Sequence, residues 1–346
     1  MYKLIMVRYG IDTIISHHRT VFITRYLCVQ PQPGIRVNQE MINNEFTSSL
    51  FPQARLHAEP VSFQLDWGIL RGLRWGADDK PVILAGHGWL DNAHSFLPCA
   101  DVFLQSPLAQ THQLIAIDWA GHGLSDHRPV GNYYAFIDYV YDCWQLIEQE
   151  NWQSVVLLAH SMGAFIANML AGIAPEKVQA VLAIEAFGLL ATPTAETTAN
   201  LRSGFQSRWA MQKKRRNHYP SFAAGVAARA QAGDFSPEYA HLLVERGIEQ
   251  VGPEDFCFRA DGRLRMASPV RLTAAQISDV LRHIKCPFTL LYGTEGHERV
   301  HEALHLWQAE VRQLQVHALS GGHHVHMEQP NAVIAHLMTM IDGLND

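Results

Sequence analysis

Ser154-Val-Val-Leu-Leu-Ala-His-Ser-Met-Gly-Ala-Phe-Ile166 reads as a buried strand, a sharp turn and the start of an apolar helix. The run up to Ala159 is continuously apolar, as in a strand covered on both faces. Phe165, Ile166, Met169 and Leu170 mark the apolar side of the helix that follows. A Ser in such a strand-to-helix turn is held in strained geometry with its hydroxyl exposed above the sheet. Ala159 and Gly163 flank it, and small residues are required where the strand and helix backbones approach. The helix N-terminus at this point favours developing negative charge. Ser161 is therefore the candidate nucleophile rather than a plain helix N-cap, and the N–H of Met162 is a candidate oxyanion donor.

Working outward, five more apolar runs stop at or next to Gly or a polar turn: Pro81–Ala85, Gln113–Asp118, Val178–Ile184, Pro287–Tyr292 and Leu314–Leu319. Val61–Asp66 and Ile69–Trp75, split by Gly68, read as a hairpin. Between the runs, Tyr133–Glu148 carries Phe136, Ile137, Val140, Tyr141, Trp144 and Ile147 at near-helical spacing, and Val300–Val311 and Val333–Ile341 mark later helices. Strand–helix alternation predicts an α/β fold with a mostly parallel central sheet and helices on both faces. The alternation breaks over 188–270, which is rich in Arg, Lys, Ala and aromatic residues. This stretch is expected to be a helical cap inserted into a core made of 41–187 and 271–346. Within it, the run Lys213-Lys-Arg-Arg216 points in several directions on a helix and reads as a solvated face, while aromatic residues such as Phe205 and Trp209 are expected to line a pocket or minor core.

Two further motifs carry chemistry. His87-Gly88-Trp89-Leu90-Asp91-Asn92 follows a buried strand, and a turn there can aim the Trp89 N–H at a carbonyl oxygen. His87 reads as a support for buried backbone. Gly321-Gly322-His323-His324-Val325-His326 follows the last strand, and a loop there can bring an imidazole to the nucleophile. His323 is the candidate base. Three histidines in four positions also raise metal binding, but no His, Cys or carboxylate cluster elsewhere in the sequence completes a ligand set, so no metal or organic cofactor is expected. His324 and His326 read as packing or surface residues.

With Asp118-Trp-Ala-Gly-His-Gly-Leu-Ser125, which looks like the D-x-x-G-H-G-x-S loop, these motifs make residues 60–345 resemble the α/β-hydrolase superfamily. Gly86–His94 is most similar to the serine hydrolase-like proteins. Ala159 replaces the first Gly of the usual G-x-S-x-G, a small departure. The related dehalogenases and epoxide hydrolases use Asp as nucleophile, and Ser161 argues against both activities. The resemblance implies an acid between Ser161 and His323 in the chain. Its common place, after the seventh strand, reads Gly293-Thr294-Glu295-Gly296, with Gly where Asp is usual. The other known place, after the sixth strand, reads Ile184-Glu185-Ala186. A carboxylate closing an apolar strand is costly unless paired. Glu185 is thus the first candidate and Glu295 the alternative.

The expected activity is a carboxylesterase-like hydrolysis of a small-molecule acyl substrate through an acyl-enzyme on Ser161. C–C bond hydrolysis and acyl transfer to an alcohol use the same groups and stay open, as does a non-catalytic ligand-binding role. The net charge of -6 gives no global attraction to nucleic acid or anionic membrane. No apolar run approaches membrane-spanning length, so no stable insertion is expected. The five cysteines have no CxxC spacing and fit reduced thiols in the cytoplasm. Residues 1–40 lack a clean period. They read as a targeting segment, as an irregular and possibly disordered extension, or as sequence upstream of a natural start at Met41. Substrate identity and oligomeric state are not legible.

Overall fold

The computed structural model describes residues 6–16, 19–28, 50–233 and 235–344. The chain divides into two units, Met1–Asn43 and Asn44–Asp346. In the first, β1 (Met6–Ser16) and β2 (Arg19–Cys28) pair antiparallel, Ser16 opposite Arg19, where the sequence showed no regular pattern. Residues 29–49, with Met41, lie outside the described residues.

In the second unit an eight-stranded sheet is built from β3 (Glu59–Leu65), β4 (Gly68–Trp75), β5 (Val82–Gly86), β6 (Gln113–Asp118), β7 (Val155–His160), β8 (Val178–Ile184), β12 (Phe288–Gly293) and β13 (Leu314–Leu319). Its order is β13-β12-β8-β7-β5-β6-β4-β3. The pairings from β6 through β5, β7, β8 and β12 to β13 are all parallel, and β4 is antiparallel to both β3 and β6. Every residue of β5, β6 and β7 is buried, which explains their unbroken apolar runs. Alternate side chains enter opposite layers. Leu84, Ile115, Ile117 and Leu157 pack on one face, and Ile83, Ala85, Leu114, Ala116 and Val156 on the other. The edge strand β13 is only partly covered.

Helices α2 (Phe136–Gln149), α3 (Met162–Ile173), α7 (Ala274–Arg282) and α8 (Arg299–Trp307) cover the first face, and α1 (Leu97–Gln105) and α9 (Pro330–Asp342) the second. In α2 the buried stripe is Tyr139, Val140, Cys143, Leu146 and Ile147, at i, i+1, i+4, i+7 and i+8. It is rotated from the stripe read in the sequence, and Ile137, Tyr141 and Trp144 are exposed. The aromatic residues suggested an apolar face, but the smaller Cys143 and Leu146 fill the inner one.

Between β8 and β12 lie α4 (Thr197–Met211), α5 (Phe222–Ala232) and α6 (Pro237–Gly247), together with a three-stranded antiparallel sheet of β9 (His218–Tyr219), β10 (Ile248–Gly252) and β11 (Asp255–Phe258). The segment expected to be a helical cap thus holds a small sheet beside its helices. Pro253-Glu254 joins the two short strands β10 and β11. Lys213, Lys214, Arg215 and Arg216 are exposed, and Arg216 pairs with Glu249 at 2.6 Å. Phe205 and Trp209 are also exposed, where the sequence placed them in a pocket or minor core. A buried ion pair ties this segment to the end of β6: Arg246 of α6 reaches both carboxylate oxygens of Asp118 at 3.0 and 2.8 Å. Asp118 also accepts the N–H groups of Ala93 and Leu124, so the loop after β6 is a brace.

Candidate active site

Parallel strands put their C-terminal ends on one side of the sheet. The chain reverses its winding at β5, which lies between β6 and β7, and such a switch point opens a crevice above the strand ends. The loops after β5, β7, β8, β12 and β13 converge there.

After β7 the backbone turns at Ser161, with φ 50° and ψ -113°, a region that residues other than Gly rarely adopt. Its N–H donates to Ile184 O at 2.9 Å, and α3 starts at the next residue. Gly163 is required: a Cβ there would collide with the carbonyl of Gly86, and its N–H instead donates to His87 O at 3.2 Å. The first turn of α3 therefore rests directly on the end of β5.

His323, in the loop after β13, brings Nε2 to 3.0 Å from Ser161 Oγ. Its Nδ1 lies 2.9 Å from Glu185 Oε2. Glu185 follows β8 in a left-handed backbone conformation, φ 59°, and is buried. Its carboxylate also accepts the Gly293 N–H on Oε1 at 2.7 Å and the His297 N–H on Oε2 at 3.1 Å. A buried acid so bonded has its charge met by three donors. The carboxylate only accepts, so His323 carries its proton on Nδ1 and presents a lone pair on Nε2 to Ser161. Glu295 is exposed and meets this loop through its backbone N–H, which donates to Gly321 O at 2.9 Å. The structure thus joins Ser161, His323 and Glu185 in one hydrogen-bonded chain and leaves Glu295 outside it. The His323 loop is itself held by Glu328, whose carboxylate accepts the Gly322 N–H at 2.9 Å.

After β5, Asp91 N–H closes a turn onto Gly88 O at 3.1 Å, with Leu90 at φ 66°. Among the described residues, the N–H groups of Trp89 and Met162 have no protein acceptor. The Met162 N–H is one of the donors a helix start leaves over. The Trp89 indole is half-exposed and donates to Leu264 O of the cap segment at 3.1 Å. His87 is buried beneath, accepting the Trp119 N–H on Nε2 at 3.0 Å, and burial pushes its pKa down. It supports the loops and stands apart from the Ser161–His323 pair.

Several residues not assigned to the site from the sequence lie behind this chain. His160, fully buried, donates from Nε2 to the His323 carbonyl at 2.9 Å. Burial, with His326, His323 and His324 around it, pushes its pKa well below the usual imidazole range. Asp91 is buried between Arg229 of α5, at 2.5 Å, and His324 Nε2, at 3.2 Å. His326 is buried too, its Nε2 2.6 Å from Ser95 Oγ. His324 and His326 are therefore interior residues, not surface ones. No sequence spacing signals these contacts, because their partners come from separate loops.

A sharp strand–Ser–helix turn and a His–Glu pair at the switch point of a mostly parallel sheet define the α/β-hydrolase architecture. The family model described as alpha/beta hydrolase fold matches residues 81–330, and the chain belongs to that family. Within it, the chain is similar to a serine hydrolase-like protein of Danio rerio, at 28% identity over 83% of this chain and 89% of the relative. It is similar also to a serine hydrolase-like protein of Dictyostelium discoideum, at 28% over 80% and 79%. Among solved structures, a hypothetical protein of Pseudomonas aeruginosa PAO1 is 32% identical, with a TM-score of 0.72 over 80% of this chain and 96% of that one. Among the described residues, no helix is long and apolar enough to cross a membrane.

Proposed function

We propose that this protein is a serine hydrolase that cleaves carboxylic esters through an acyl-enzyme on Ser161. The observation that carries the reading is the relay in which Ser161 Oγ lies 3.0 Å from His323 Nε2 and His323 Nδ1 lies 2.9 Å from Glu185. Those separations are within hydrogen-bond reach for a nucleophile, a base and the group that orients the base.

In this reading His323 Nε2 takes the Ser161 proton as Oγ attacks the ester carbonyl. Glu185 holds the ring in the needed tautomer and stabilises the imidazolium without itself taking the proton. The N–H groups of Trp89 and Met162 receive the oxyanion. His323 then gives its proton to the departing alcohol. In the second half it takes a proton from water, the hydroxide attacks the acyl carbon, and the proton returns to Ser161 Oγ as the acid leaves. No step requires a metal or organic cofactor. Small to medium acyl esters are the substrates we expect. Cys99, Cys143, Cys257 and Cys286 are free and buried, which supports a cytoplasmic setting.

Hydrolysis of chromogenic acyl esters of increasing chain length tests the proposal. Wild type should turn over at least one member with a pre-steady-state burst of alcohol equal to the enzyme present. Failure across the panel, or turnover unaffected by Ser161→Ala, would overturn it.

A further inference from the structure

Asp91, His160 and His324 are all buried, and each lies one or two residues from a group proposed to act in the reaction: Trp89, Ser161 and His323. One ring nitrogen from each His and one oxygen of Asp91 fall within 4.8 Å of one another. His160 Nδ1 is 3.7 Å from Asp91 Oδ2, and His324 Nε2 is 3.2 Å from the same oxygen. Ligands of a tetrahedral zinc-like ion, each about 2.1 Å from it, stand about 3.4 Å apart.

The polarity of these atoms is the stronger argument. His160 Nε2 faces the backbone carbonyl of His323, which can only accept, so the proton sits on Nε2. Nδ1 then turns its lone pair toward Asp91 Oδ2, 3.7 Å away, while Arg229 holds the other oxygen of that carboxylate. Two acceptors face each other inside the protein, and Nδ1 has no hydrogen-bond partner among the described residues. Buried acceptors in this position call for a positive charge between them. There is room beside them because residue 88 is Gly: a Cβ there would lie 2.9 Å from both Asp91 Oδ2 and His160 Nδ1. The surroundings also match those of metal ligands, which are oriented from behind. The backbone carbonyl fixes the His160 tautomer, Arg229 fixes the carboxylate through Oδ1, and Oδ2 faces both imidazoles, the proton shared with His324 Nε2 leaving as the ion binds.

We propose that Asp91, His160 and His324 bind one divalent transition-metal ion of the zinc class, which ties together the loops after β5, β7 and β13. The ion binds as a structural clamp behind the Ser161–His323 pair, with its fourth position left to water. The role is separate from the acyl chemistry and does not depend on it.

Chelator-treated protein titrated with Zn²⁺ should take up one ion per chain, and its melting temperature should rise by roughly 5 °C at a hundredfold excess over Kd. X-ray absorption at the zinc edge of the wild-type holoprotein should report nitrogen and oxygen donors alone. That distinguishes this cluster from His218, Asp255 and Cys257 near the surface, which would add a sulfur at about 2.3 Å. His324→Gln should abolish uptake and the thermal shift, while His218→Gln should keep both. Absence of stoichiometric uptake by wild type, a sulfur donor in the absorption spectrum, or uptake that survives His324→Gln would each overturn the proposal. If His324→Gln does not fold, the wild-type stoichiometry and donor set decide the matter alone.

Discussion

The carboxylate of Glu185 occupies the space that a side chain at position 296 would need. A Cβ built on Gly296 collides with Oε1 of Glu185. The two places from which this fold can offer an acid to His323 therefore exclude each other here, and Gly296 is the counterpart of a carboxylate supplied by β8. Gly296→Asp alone should destabilise the protein. Combined with Glu185→Gly, which suits the backbone at φ 59°, it should raise esterase turnover at least about tenfold over Glu185→Gly alone. A double variant no better than the single one would show that the 296 position cannot serve.

The single-residue version of the same comparison uses amides. An acid removed from a Ser–His–acid relay costs about 10⁴-fold through the wrong imidazole tautomer. Glu185→Gln should cost on the order of 10³–10⁴-fold in kcat with the fold intact, and Glu295→Gln roughly tenfold or less. Circular dichroism checks the fold and steady-state kinetics the order. The reverse order of damage would move the acid to Glu295.

Much of this was legible because it rests on local pattern. The unbroken apolar runs of β5, β6 and β7 follow from burial on both faces, and the Ser161 turn announces itself by the small residues the close packing of α3 on β5 demands. What was not legible depends on distant partners. Asp91, His160 and His324 meet only in three dimensions, and the Arg246–Asp118 pair joins positions 128 residues apart. The strands β9, β10 and β11 are too short to show a period, and the face that α2 buries is masked in the sequence because its exposed aromatic residues outweigh Cys143 and Leu146 in apparent hydrophobicity.

The Arg246–Asp118 pair is buried on both sides, so removing one partner strands the other. Arg246→Ala should cost about 3–5 kcal/mol in denaturant unfolding, with the cap loosened from the loop after β6. A loss under about 1 kcal/mol would mean that the pair is replaced by solvent at little cost.

Ser161 holds a backbone conformation that suits Gly better than any other residue. Ser161→Gly and Ser161→Ala both remove the hydroxyl, yet only Gly relieves the strained dihedrals. The Gly variant should be the more stable by about 1 kcal/mol, despite the entropy Gly adds to the unfolded chain. Equal melting temperatures, or Ala ahead, would show that the turn is not strained.

The most direct measurement is covalent labelling with a fluorophosphonate, with the modified residue located by mass spectrometry. The account predicts a single adduct on Ser161 in wild type, labelling strongly slowed in His323→Ala, and no adduct in Ser161→Ala. Equal labelling of wild type and Ser161→Ala, or an adduct on another residue, would contradict it.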